Sequence, residues 1–324
     1  MKRILVGLGV VAVAWAAPIS QAQAQNFPTK SVRWIVPYPA GGGSDFLART
    51  VSQAMAQDLG QPVVIDNRAG GNTAIAAAET IRSGPDGYTV LSADNGTLFN
   101  NPVLYSSLSY KASDLTPVTL LGRFPMILAV GPSGAEFKDA KDFIAKVKAA
   151  PGKYSYASVG AGSPHHLAME LLKQKLGLHI LHIPYRGAAP AMNDVVGGQL
   201  PVMMIDPAAG AGFLKAGKLR PLAVANDKRL PQYPNVPTFD ELGIKGVEAA
   251  ALVGMVAPTG TPPAVIARLQ QAASKAIHQP DVFKKLADAG VEPVGGSTAD
   301  YAALIKQQTA LWQKLITDLK IKLD

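Results

Sequence analysis

The chain contains no cysteine in 324 residues, which excludes disulfides, thiolate nucleophiles and cysteine-held metals and leaves stability to a packed core. Histidine is scarce too, with five residues. His165 and His166 are adjacent and project apart on a helix, while His179 and His182 fall on opposite faces of a strand, so no metal site is expected. Aromatic residues make up 6% of the chain and the basic residues are scattered singly among acids, a pattern that does not fit a nucleic-acid surface. The apolar run Ile4–Ala17 falls short of the roughly 20 residues needed to span a bilayer.

That run is preceded by Lys2 and Arg3 and followed by Ala22-Gln23-Ala24, which together predict a secretory signal peptide over residues 1–24. Export removes ATP and NAD from the plausible ligands. The formal charge of the whole chain is +8, and losing Lys2 and Arg3 leaves +6, a mild positive field that suits small anions arriving by diffusion.

The stretch VPYPAGGGSDFLART runs from a strand through three glycines into a helix, a backbone arrangement that cradles anions. It is not a phosphate loop of the Walker type, because Asp45 and Phe46 stand where the lysine would be, and Phe46 also breaks the dinucleotide pattern GxGxxG. Leu47, Val51, Met55 and Leu59 give the following helix one apolar face, and Gly60 is a stop signal. Asp45 reads as the N-cap.

The same order of elements recurs about 115 residues later. KYSYASV, GAGSPHH, LAMELLKQKLG and LHILHIP repeat the strand, glycine turn, helix and strand, and each second strand leads into an arginine and a glycine, Arg68 with Gly70 and Arg186 with Gly187. In the second unit Ser163 is a natural N-cap and Pro164 fits the first helical position, leaving the amides of His165 and His166 for an anion. Both arginines are open to a surface or a ligand role, and Asp206 either faces the cleft or caps the next turn. Ser158 in YASVG lacks the upstream glycine of a nucleophile elbow, so no catalytic residue is assigned.

In order along the chain, VPYPAGGGSDFLAR, GQPVVIDNRAGG, PDGYTVL, YASVGAGSPHHLAMEL, HIPYRGAAPAMNDVVGGQ, LKAGKLRPLAV, VPTFDELG and VAPTGTPPAVI resemble the Bug family, the substrate-binding receptors of tripartite tricarboxylate transporters. The resemblance implies an α/β fold of the type II periplasmic binding proteins: a flytrap of two pseudo-symmetric lobes joined by a hinge. It also implies a periplasmic monomer without cofactor or metal that holds a small carboxylate and passes it to two membrane subunits of a transporter. By motif match the ligand falls to Tyr38, Ala40, Gly41 and Asp45 in one lobe and to Ser158, Gly160, Gly162, Ser163 and His166 in the other. Gly42, Asn95, Thr97, Arg186 and Asp206 complete the expected site.

Three departures bear on the far end of the ligand: Leu98 replaces a histidine common among relatives, Leu252 and Val253 replace an aromatic pair, and the acid of VMMID lies one place late, at Asp206. The expected lobes are 25–122 with 228–324, and 123–227, with crossings near Leu121–Met126 and Ala225–Pro237. The alternatives are a receptor that presents its ligand to a sensor protein and an exported hydrolase on the same scaffold.

Overall fold

The computed structural model describes residues 27–323, so the expected signal peptide lies outside the described residues. Ten strands follow in chain order: β1 Val32–Val36, β2 Val63–Asn67, β3 Thr89–Ala93, β4 Leu115–Val130, β5 Ser155–Ser158, β6 Leu181–Pro184, β7 Val202–Ile205, β8 Arg220–Ala225, β9 Ala250–Pro258 and β10 Glu292–Pro293. They pair in the order β2-β1-β3-β9-β4-β7-β5-β6, with β8 and β10 both added to β4. The order is palindromic. Parallel β2-β1-β3 corresponds to parallel β6-β5-β7, and each trio is closed by an antiparallel strand, β9 beside β3 and β4 beside β7. The two units of the sequence repeat are the two lobes of the fold.

The helix Gly43–Leu59 follows β1 and the helix Pro164–Leu176 follows β5. Leu47, Val51, Met55 and Leu59 are all buried, as the four-residue spacing requires. Gly60 ends the first helix at φ 69°, the left-handed conformation that glycine adopts without a Cβ penalty. In the second lobe the alternation of β4 and β7 separates two cores. Leu128, Val130, Val202 and Met204 join the main cluster, while Ile127, Ala129, Met203 and Ile205 face a smaller one. The final helix, Thr298–Asp318, buries Tyr301, Trp312, Leu315 and Ile316 but leaves Leu311 exposed.

The sixteen residues of β4 join the lobes. Leu115–Pro125 pair with β9, whereas Met126–Val130 pair with β7 and β8. Pro117 sits at a bulge and Pro125 at the changeover, where a residue with no N–H to give costs the ladder least. The return passage comes later than expected. The connector after β8 stays bound to it, through Val224 N–H to Pro237 O at 2.9 Å and Phe239 N–H to Val224 O at 3.1 Å. Ala249 N–H still donates to Ala225 O at 2.9 Å, so the chain leaves the second lobe at Ala249–Ala250 rather than within Ala225–Pro237. The proline-rich stretch forms no strand of its own, and periodicity alone could not place it.

Behind the second glycine turn lies a stack of rings: Tyr156 on His182 at 4.9 Å and His182 on His166 at 3.9 Å between centroids. His166 Nδ1 accepts the Gly162 N–H at 3.0 Å, and His182 Nε2 lies 2.6 Å from Ser158 Oγ. Burial pushes His166 down to about 4, with nearby Lys173 adding to it, and pushes His182 down to about 3, with His166 adding to it. Both rings are therefore neutral in the folded chain, while in the unfolded chain they titrate near the ordinary histidine value of about 6.5. Below that value the unfolded state binds more protons, so stability falls as pH drops from about 6.5 toward 4, by up to about 1.4 kcal/mol per pH unit for each ring. Denaturant unfolding at pH 7, 6 and 5 should show this slope, and His182→Gln should make it shallower. A flat profile over that window would contradict the neutral stack.

Candidate functional site

The first glycine turn leaves β1 through Pro37–Pro39 and reaches Gly41 at φ +88°, a conformation that requires glycine. Gly42 is the N-cap of the helix Gly43–Leu59 and no side chain caps that end. The first-turn amides have no partner within a helix, and Gly42, Gly43 and Ser44 line the cleft, with Asp206 Oδ1 of the other lobe lying 2.4 Å from where a Gly43 Cβ would be. Asp45 is not the cap. It occupies the third helical position and turns its carboxylate back, accepting from Gly41 N at 3.0 Å, Arg49 Nε at 3.0 Å and Asn67 Nδ2 at 2.9 Å. Burial works to raise its pKa, but Arg49, the Gly41 amide and Asn67 outweigh that and hold it below the usual carboxylate value. Asn67 also donates to Tyr38 O at 2.9 Å, so Asp45 and Asn67 brace both sides of the turn.

The second turn is built differently. Ser163 Oγ accepts from His166 N at 3.3 Å and caps its helix, with Pro164 in the first position, as expected. Ser158 Oγ is engaged by His182 and by Gly160, whose N–H donates to it at 3.2 Å. His166 is turned into the ring stack rather than toward the cleft. Gly162 is a contact between lobes: its carbonyl accepts from Asn100 Nδ2 at 3.0 Å, and a Cβ there would lie 2.5 Å from both Asn72 Nδ2 and Leu104 Cδ1. Gly160 and exposed Arg186 line a wider outer cleft of about 680 Å³, shared with Tyr38 and Gly70.

Between the turns lies a narrow inner cleft, with a cavity volume of about 40 Å³. Of the expected residues, Tyr38, Ala40, Gly42 and Asp206 line it; Asp94, which the sequence reading did not assign, and His165, of which it assigned only the backbone amide, line it as well. Phe124, Ala251 and Val253 are part of its apolar wall. Asp206 does both things its position allowed. Its Oδ1 accepts from Ala209 N at 2.8 Å and caps the helix Pro207–Lys215, while Oδ2 lies 3.1 Å from His165 Nε2.

Asp94, 3% exposed, accepts from Tyr38 Oη at 2.6 Å and from Thr97 N at 3.1 Å. Burial raises the Asp94 carboxyl, and burial followed by the Asp94 carboxylate, with a smaller contribution from Asp206, pushes the Tyr38 phenol well up. Thr97 holds Asp94, and Asn95 is spent on the edge of β9, donating to Ala250 O and accepting from Leu252 N. Asp94 directly follows β3, as Asp206 directly follows β7, and those strands are equivalent in the palindrome.

Known proteins agree with this architecture. The model of the tripartite tricarboxylate transporter family receptor matches residues 47–321. BugT of Bordetella pertussis is 33% identical, covering 100% of this chain and 99% of that protein. Among solved structures, Rpa4515 of R. palustris with adipate is 33% identical at a TM-score of 0.87, covering 90% of this chain and 97% of that one. MatC from Rhodopseudomonas palustris with bound malate is 31% identical at 0.84, covering 90% and 100%. The structure of the periplasmic binding protein BugD is 31% identical at 0.86, covering 91% and 99%. These are ligand-binding proteins rather than enzymes, and the chain, with its own two-lobed fold, duplicated glycine turns and intervening cleft, belongs to the tripartite tricarboxylate transporter receptor family.

Proposed function

We propose that this chain is an exported receptor that captures a small carboxylate between its lobes and delivers it to the membrane subunits of a tripartite transporter. The observation that carries the reading is the start of the helix Gly43–Leu59, which has no side-chain cap and lies on a cleft that Asp206 and His165 of the other lobe also line. A carboxylate placed there receives first-turn amides and the positive end of the helix. Micromolar capture needs about 8 kcal/mol. A helix start supplies about 0.3–2 kcal/mol, and each hydrogen bond to a charged group about 1.5–3 kcal/mol. Three or four such bonds suffice, offset by the cost of closure. That adipate and malate are bound in related structures supports the class of ligand.

In this reading Tyr38, Ala40 and Gly42 are the first lobe's contacts, and Asp206 and His165 the second's, with Arg186 drawing the anion in at the outer cleft. Asp45, Asn95, Thr97, Ser158, Ser163 and His166 act one step back, by fixing the turns. The moving bodies are residues 27–125 with 250–323, and 126–249, turning about β4 and the Ala249–Ala250 passage. No helix among the described residues is long and apolar enough to cross a membrane, in keeping with a receptor that works beside its transporter.

Two alanine substitutions separate ligand contact from lobe packing. Gly42 has φ −86°, and a Cβ there would meet nothing closer than 3.9 Å, so Gly42→Ala should fold normally while filling cradle space. It should weaken carboxylate binding about tenfold or more, at unchanged melting temperature. Gly162→Ala meets a φ of +77° and two contacts at 2.5 Å, and should lower the melting temperature. Calorimetry with adipate, malate and short amino acids that showed full affinity in Gly42→Ala would place the carboxylate elsewhere.

A further inference from the structure

The segment between β2 and the helix Ala74–Arg82 has four successive residues at positive φ: Gly70 at +126°, Gly71 at +55°, Asn72 at +44° and Thr73 at +76°. Glycine accepts this, but a β-branched residue there is an outlier that persists only where its surroundings hold it. The holding groups come from the π-helical turn Gly96–Asn100 and the short helix Asn101–Leu104. Thr97 Oγ1 donates to Thr73 Oγ1 at 2.9 Å, Asn101 Nδ2 to Asn72 O at 2.6 Å, and Asn72 Nδ2 to Asn101 Oδ1 at 2.7 Å. Thr73, Thr97, Asn100 and Asn101 are all buried. Together they brace one wall of the first lobe, and the second lobe's glycine turn is seated against it. Asn100 Nδ2 donates to Gly162 O, and Asn72, Leu104 and Leu323 surround the place where a Gly162 Cβ would be. Asn100 Oδ1 is buried without a partner. An amide that leaves one atom orphaned while giving the other to the opposite lobe is not explained by packing within its own lobe.

We propose that this contact is a latch that holds the ligand-free chain shut, with Asn100 as its catch and the tethered Asn72–Thr73 segment as the wall it closes against. It rests on the receptor reading above in needing lobes that part, and adds what keeps them together. The inner cleft, at about 40 Å³, has room for little more than a few water molecules, so a ligand enters only when the lobes separate. The latch residues Asn72 and Asn100 follow β2 and β3, which the sheet order places beyond β9 from the hinge strand β4. A contact there restrains the lobes away from their pivot. Closing gains the hydrogen bond from Asn100 to Gly162 and strands Asn100 Oδ1, so the net gain is small and the latch can release. It is also joined to the cleft. Thr97, whose hydroxyl tethers Thr73, holds Asp94 Oδ1 on its backbone N–H at 3.1 Å, so a displacement of Asp94 by an entering ligand reaches the latch through one residue.

Distances between two spin labels test this, on the chain carrying Gln307→Cys in the first lobe and Gln174→Cys in the second, both exposed positions in a protein with no cysteine of its own. Without any added compound this parent should show one short distance. Asn100→Ala and, independently, Thr73→Ala should raise the population at a longer distance about tenfold or more, and Gly162→Ala should do the same from the opposite lobe. Thr73→Ser keeps the tethering hydroxyl and should stay with the parent. A parent that is already open, folded Asn100→Ala and Thr73→Ala chains that keep the parent distance, or Thr73→Ser opening as far as Thr73→Ala would overturn the latch. Lower melting temperatures at an unchanged distance would likewise reduce the contact to packing. In any of those events a distance that changes when malate or adipate saturates the parent would leave the receptor reading intact. A distance that no substitution and neither compound alters would overturn the moving lobes together with the latch.

Discussion

Everything in this molecule depends on one strand belonging to both lobes. β4 carries β9 on its first eleven residues and β7 and β8 on its last five, so the two half-sheets are fixed relative to one another by backbone hydrogen bonds. The palindromic order puts β3 and β7 on either side of the shared pair β9-β4, and their carboxyl ends, with Asp94 and Asp206, look into the same space. Open α/β sheets bind ligands at those ends, and here two such ends converge. The shared strand also limits how the lobes can move. Pro125 interrupts the ladder where the partners change, and the return at Ala249–Ala250 lies beside it, through Met126 N–H to Ala249 O at 3.0 Å.

The three buried acids near the glycine turns illustrate how position decides role. Asp45 is fully engaged by Arg49, Asn67 and the Gly41 amide, which neutralise it and make it a brace. Asp206 gives one oxygen to a helix start and keeps the other on His165, and Asp94 is held by a phenol and a threonine, neither of them charged. The difference is the arginine. A carboxylate with its own cation is electrostatically silent to a ligand.

Much of this was legible in the sequence because it is local. The apolar spacing from Leu47 to Leu59, the Ser163-Pro164 helix start, the Gly60 stop and the duplicated strand-turn-helix order depend on neighbours within a few residues, and they stand in the structure as read. What failed is what depends on partners far along the chain. Asp45 could have capped its helix, but Asn67, at the end of the next strand, holds it with Arg49 and the Gly41 amide. His165 and His166 project apart on a helix, but nothing local says which of them faces the cleft until His182 stacks on one and Asp206 takes the other. Gly162 resembles a cradle glycine until Asn72 and Leu104 of the opposite lobe are seen to press against it. Asp94 was missed because its equivalence to Asp206 appears only once the strand order places β3 and β7 at matching positions.

The central claim is that the open amides after Gly42 hold the ligand's carboxylate, and amide chemical shifts report on those atoms directly. In nitrogen-15 spectra of the protein, addition of amino acids, hydroxy acids and dicarboxylates in turn should move the Gly43 and Ser44 amide protons downfield, saturably and with the same midpoint as calorimetry, for every compound that binds. Saturable binding that leaves Gly43 and Ser44 in place while shifting only Tyr185 and Arg186 at the outer cleft would contradict it.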